Sequence, residues 1–459
     1  MLRNVDSLLP LEDRADALEL PPGFVLGAAT AAYQIEGAPR EGGKGESIWD
    51  RFTATPGTIV DSSSGDQACN SYHLWRDDIA LLSQMGLGAY RFSLSWPRLQ
   101  PGGRGRLNPA GLAYYDRLVD ALLAEGIAPY VTLYHWDLPA ELQDLGGWYS
   151  RDTAARFADY AAQAAEALGD RVGHWTTLNE PWTFCWFGHA LGEDAPGLTD
   201  GVRGGLTASH HALLAHGRAV PRLREVLPEA EVGIVLDLNL VSAASDLPED
   251  MAAATRFEGV QNRWYLDALF HGAYPEDILE LCAADLPEIR PGDLDIISQP
   301  LDYLGINVYR RSVIGAGEDL SPLDFARVNP VGEYTATGWE IWPRCIRDAL
   351  EFVYENYAPA KLLITENGMA TPPEIPGEDG VVHDEDRARY IVDHLSEVAA
   401  AARAGVPVRG YFAWTLMDNF EWASGYTVPF GLAHVDFETQ QRRLKYSGEL
   451  FGRIARNTV

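Results

Sequence analysis

Eight short runs rich in β-branched, aromatic or small apolar residues recur along the chain, at 24–28, 88–94, 129–134, 174–178, 231–236, 303–308, 361–365 and 409–415. Longer amphipathic stretches lie between them, with helical candidates at 72–85, 109–125, 152–168, 205–227, 251–270, 339–357 and 384–404. Strand-like runs alternating with helical periods describe βα units on a parallel sheet, and eight such units close into a barrel. The expected fold is α/β, a single (β/α)8 barrel with enlarged loops. The 459 residues, 46% of them hydrophobic, suffice for one such core. The irregular stretches 37–67, 191–204, 315–338, 371–383 and 417–436 mostly follow strand candidates, on the side where barrels build their sites. Neither a repeat nor a linker divides the chain, so we expect an irregular N-terminal lead over 1–20 and one barrel domain over 21–459.

A net charge of −30 should repel nucleic acid and anionic membrane surfaces, which leaves a small molecule as the expected partner. Cys69, Cys185, Cys282 and Cys345 show no CxxC spacing, so neither a structural zinc site nor a disulfide framework is expected. The leucines of the N-terminal stretch are interrupted by Asp6, Glu12, Asp13, Asp16 and Glu19, unlike a secretory signal, and no apolar run approaches membrane-spanning length. These features predict a cytoplasmic protein. Lysine occurs only at 44, 361 and 445, a bias that carries no mechanistic information by itself.

Two strings carry the chemistry, Thr177-Leu178-Asn179-Glu180-Pro181 and Ile364-Thr365-Glu366-Asn367-Gly368. Alone, the first is an ordinary strand-to-helix turn and the second contains a plain Asn-Gly turn signal. Together they end the fourth and seventh strand candidates with glutamates, which should converge at one barrel mouth. Two facing carboxyls are the minimum equipment for cleaving a glycosidic bond. Other chemistries find little support: His210-His211 lacks the spacing of a zinc pair, Gly43-Lys44-Gly45 lacks a phosphate loop's hydroxyl, and Gly-x-Ser-x-Gly is absent.

From Phe24 to Gly37 the chain resembles the N-terminal signature of the family 1 glycoside hydrolases. Further matches are Tyr90-Arg91-Phe92-Ser93, Tyr134-His135-Trp136-Asp137-Leu138-Pro139, Asn307-Val308-Tyr309, Gly338-Trp339-Glu340 and Asn419-Phe420-Glu421-Trp422. The resemblance implies a retaining exo-β-glycosidase needing no cofactor or metal, with Glu180 as acid/base and Glu366 as nucleophile. It places Arg91, Tyr309 and Asn307 around the nucleophile. Gln34, His135, Trp136, Asn179, Trp414, Glu421, Trp422 and Phe430 fall at sugar-contacting positions, and Trp182 and Trp339 flank the leaving group. A β-glucosidase acting on cellobiose, cello-oligosaccharides and aryl glucosides is the expected activity. Its rivals are a β-galactosidase or β-fucosidase of the same family and a silent sugar-binding barrel; thioglucosidases carry glutamine where this chain has Glu180. Asn70, Glu46 and Val308 depart from the usual pattern without touching the glutamate pair.

Overall fold

The computed structural model describes residues 9–458. Eight parallel strands form the closed barrel: β1 (Val25–Ala29), β2 (Ala89–Ser93), β3 (Ala128–Tyr134), β4 (His174–Asn179), β5 (Glu231–Asp237), β6 (Tyr303–Asn307), β7 (Leu362–Asn367) and β8 (Val408–Trp414). Each expected run coincides with one strand. Closure joins β8 to β1 in parallel register from Val25↔Gly410 to Ala29↔Trp414.

The outer layer follows in order: α1 (Ser71–Met85), α2 (Pro109–Ala124), α3 (Arg151–Leu168), α4 (Gly201–Val226), α5 (Pro248–Glu258), α6 (Arg344–Tyr357), α7 (Glu385–Arg403) and α8 (Tyr446–Thr458). The strands are buried on both faces, and their near-continuous apolar runs reflect that. Inside the barrel Phe412 packs on Tyr130 with ring centroids 4.9 Å apart. Gly27 leaves it space, since a Cβ there would stand 2.6 Å from the Phe412 ring.

Several expectations need correction. The stretch 251–270 is not one helix: α5 runs into a π turn at Gly259–Arg263, followed by a further helix at Trp264–Phe270. The candidate at 339–357 starts only at Arg344, because Pro343 caps it and Thr335 and Trp339 exchange hydrogen bonds in a tight loop before it. The lead expected to be irregular contains a helix, Leu11–Asp16, while residues 1–8 lie outside those described. Glu12 and Asp13 suit its first turn, and its charged residues reach the barrel: Glu12 accepts from Tyr446, Arg14 pairs with Asp393 and Asp16 with Arg453. Strands Leu240–Ala243, Arg311–Asp319 and Phe325–Arg327 form a small extra sheet, partly within the stretch expected to be irregular at 315–338. The final helix, α8, was not among the helical candidates. All four cysteines are buried and free, and among the described residues no helix is long and apolar enough to cross a membrane.

Candidate active site

A cavity of about 270 Å³ opens at the C-terminal ends of the strands. Glu180 follows β4 directly and caps the next short helix in a left-handed conformation, φ 50°. Its backbone N–H donates to Val235 of β5 at 2.9 Å, and Pro181 occupies the first helical position, where a missing N–H costs nothing. Glu366 lies within β7 itself, so rigid sheet positions it.

The two carboxyls have different surroundings. Arg91, in the middle of β2, donates to Glu366 Oε1 at 2.7 Å, and Tyr309 Oη donates to Oε2 at 2.7 Å. Arg91 also reaches Asn179 Oδ1 at 2.6 Å, which locks the guanidinium in place. Glu180 Oε1 accepts from Asn307 Nδ2 at 2.6 Å, and no cation pairs with it among the described residues. Burial, then the charge of Glu366, then that of Asp237 hold its pKa well above the usual carboxylate range. Burial lifts Glu366 as well, but Arg91 and Tyr309 act against it. A single proton shared by the pair therefore rests on Glu180 and leaves Glu366 ionised. Burial and the Glu366 charge also keep Tyr309 a protonated donor.

The remaining predicted residues converge on the same cavity. His135, Trp136, Trp182, Asn307, Tyr309, Trp339, Trp414, Glu421, Trp422 and Phe430 line it directly. Arg91, Gln34 and Asn179 stand behind: Gln34 Nε2 donates to Glu421 Oε2 at 3.1 Å and to the Phe420 carbonyl at 2.9 Å. Asn179 spends Oδ1 on Arg91 and Asn307, which turns its amide nitrogen to His135 Nε2 at 3.1 Å. Burial and then Arg91 hold the His135 pKa well down, so the ring is neutral and carries its hydrogen on Nδ1. That nitrogen and Gln34 Oε1 are buried without a protein partner, as expected of groups arranged for ligand hydroxyls. Trp422 stacks on Trp136 at 4.5 Å and touches Trp49 at 4.6 Å, forming a stiff aromatic wall. Burial, then Glu366, push Glu421 up to about 8, while Gln34 and Trp414 pull the other way. Among the described residues, no group of three or more His, Cys, Asp or Glu side chains is placed to hold a metal ion.

Sequence reasoning missed part of the wall. Phe187, Glu193, Asp194, Asp237, Asn239 and Arg310 also face the cavity. Asp237 obeys the rule that singled out the two glutamates, for it is a carboxylate ending a strand, and Gln261 of the π turn donates to it at 2.8 Å. Burial puts its pKa at about 7.

The chain matches the model of glycosyl hydrolase family 1 over residues 17–458. It is 43% identical over 445 residues to beta-glucosidase A of Acetivibrio thermocellus, which covers 96% of this chain and 99% of that protein. It is 42% identical over 457 residues to a bifunctional beta-D-glucosidase/beta-D-fucosidase of Bifidobacterium breve, covering 95% and 97% of the two chains. The solved structure of a family 1 beta-glucosidase from Thermotoga maritima superposes with a TM-score of 0.94 at 42% identity, covering 96% of this chain and 99% of that one.

Proposed function

This chain belongs to glycosyl hydrolase family 1, and on that footing we propose that it is a retaining exo-β-glucosidase, with Glu180 and Glu366 as its working pair. The observation that carries this reading is the asymmetry of the pair. Arg91 and Tyr309 hold Glu366 as a carboxylate, whereas Glu180 lies among like charges and keeps a proton. In the first step Glu366 attacks the anomeric carbon, the bond to the leaving oxygen breaks, and Glu180 gives that oxygen its proton. Forming the ester removes the charge of Glu366 and with it one reason for Glu180 to stay protonated. Glu180 then takes a proton from water as the water attacks the same carbon and restores the free Glu366 carboxylate. Two inversions give net retention, in the geometry where the carboxyls lie about 5 Å apart.

Gln34, His135, Asn179 and Glu421 supply donors and acceptors for the glycone, with Trp414, Trp422, Trp136 and Phe430 around it. Trp182 and Trp339 take the leaving group. Terminal β-D-glucosyl residues of cellobiose, cello-oligosaccharides and aryl glucosides are the substrates. Residues 21–459 act as one catalytic domain, and the acidic charge and free buried cysteines fit a cytoplasmic setting. A β-fucosidase side activity is the second reading, favoured by the dual name of the Bifidobacterium breve relative. Turnover of nitrophenyl glucoside, galactoside and fucoside ranks the glycones, and proton NMR before mutarotation should show β-glucose released first. First release of the α-anomer would overturn retention, and absence of turnover on every glycoside would leave a silent barrel.

A further inference from the structure

Arg310 and Arg311 are adjacent in sequence but differ in their partners. Arg311 is fully engaged: its Nε and Nη2 bind Glu340 at 2.7 and 3.0 Å. Arg310 turns to the cavity instead, where its guanidinium lies over the Trp339 ring at 5.3 Å from the centroid. Among the described residues it donates no hydrogen bond and has no carboxylate within ion-pair distance. The nearby Arg327 is occupied by Ser312 Oγ at 3.0 Å and lies over Phe257.

A half-buried cation that faces the cavity with five unused donors can take up an acceptor there. Burial, and then the proximity of Arg327, bring the Arg310 pKa down to about 9. The facing carboxyls do not answer it. Asp237 feels the Arg310 charge but stands outside ion-pair distance and accepts from Gln261 on one oxygen, and burial holds both Asp237 and Asp194 at about 7, so neither is fully charged at neutral pH. Trp182, Phe187, Leu238 and Trp339 give the same cavity apolar and aromatic surface, and Trp339 lies directly against the guanidinium.

We propose that Arg310 reads the leaving group, and that the enzyme favours β-glucosides of hydroxylated aromatic acids, whose carboxylate pairs with this guanidinium while the ring lies against Trp182 and Trp339. A planar carboxylate matches the guanidinium fork with two parallel hydrogen bonds, whereas a sugar hydroxyl offers one. The chemistry is unchanged: the phenolic oxygen leaves with the proton of Glu180, and Glu366 takes the glucosyl unit. This inference rests on the glucosidase reading and adds a leaving-group class to it.

The test compares kcat/KM for 4-carboxyphenyl β-D-glucoside with that for its neutral 4-carbamoyl analogue at pH 7, in wild type and in Arg310→Met and Arg310→Lys. Each ratio is taken on one protein, so a general loss of activity cancels. The carboxylate-over-amide ratio should fall about tenfold or more in Arg310→Met and part of it should survive in Arg310→Lys. A ratio unchanged by Arg310→Met overturns the inference, as does a variant that selectively loses cellobiose instead. Wild type alone offers a second reading: 4-hydroxybenzoate should inhibit more strongly than 4-hydroxybenzamide, and equal inhibition also overturns it. Failure of this inference would leave nitrophenyl glucoside turnover intact, whereas failure of the glucosidase reading would abolish turnover of every glucoside in the set.

Discussion

At the scale of the residue, the division of labour between two identical side chains comes from what touches them. If Glu366 is the nucleophile, Glu366→Gly should abolish hydrolysis of ordinary glucosides, and azide should restore turnover of an activated aryl glucoside as the α-azide. Glu180→Ala should keep the first step for a good leaving group, slow the second, and release β-azide. Product configuration by NMR checks both, and reversed anomers would exchange the two roles. Asp237 supplies the pH test. Its charge is one of the causes that raise Glu180, so Asp237→Asn removes repulsion against the ionised form and lowers that pKa. Because the proposed mechanism needs Glu180 protonated in the first step, the basic limb of kcat/KM should move to lower pH in the variant. An unmoved limb would show that the Asp237 charge does not act on Glu180. These residues were unequally legible. Glu180 and Glu366 announce themselves by ending apolar runs, and so does Asp237, which went unremarked because no family string surrounds it. Arg310 gave no signal in the sequence, since only the fold shows which of two consecutive arginines lacks a carboxylate.

At the scale of the element, strand positions were readable because each strand is buried on both faces and leaves a compact apolar run. Breaks in the periodic helices were not readable. The π turn at Gly259–Arg263 lies inside a continuous amphipathic stretch, and what it achieves, the placement of Gln261 on Asp237, is a contact between distant residues. The Asn-Gly after Glu366 has the form of a turn signal, but the glycine answers a different demand. A Cβ on Gly368 would sit 1.8 Å from the Trp414 carbonyl oxygen, so the ends of β7 and β8 can approach only if that atom is missing. Gly368→Ala must push these strand ends apart beside Glu366 and Trp414. We expect kcat/KM to drop by about a hundredfold, the scale of an ångström-sized misplacement, together with a lower melting temperature. Wild-type kinetics in this variant would show that the strand ends have slack.

At the scale of the whole molecule, the scarce lysines all serve in ion pairs: Lys44 with Asp50 at 3.1 Å, Lys361 with Glu231 at 2.6 Å and Lys445 with Asp418 at 2.6 Å. Lys445 is fully buried and also meets Glu374 at 2.5 Å, while Arg387 joins Glu374 and Asp384 beside it. This network fastens the loops after β7 and β8 to the start of α8. Lys445→Met should cost about 3–5 kcal/mol, because it strands buried carboxylates. Burial pushes Asp418 up, but Lys445 and its other partners hold its pKa below the usual value. A depressed folded pKa contributes stability above the unfolded pKa that is lost as pH falls through the folded one, so the wild-type advantage should shrink in acid. Urea midpoints of both proteins at neutral and acid pH check this, and a pH-independent difference would contradict the charge account. Closure of the ring by β1 against β8 has one more consequence, which concerns synthesis. The first strand leaves the ribosome long before its only partner on that side exists, and Trp414, Glu421 and Trp422 follow it far along the chain. No chain that stops short of Trp422 can hold the finished cavity, so the site comes into being only after more than four hundred residues have been made.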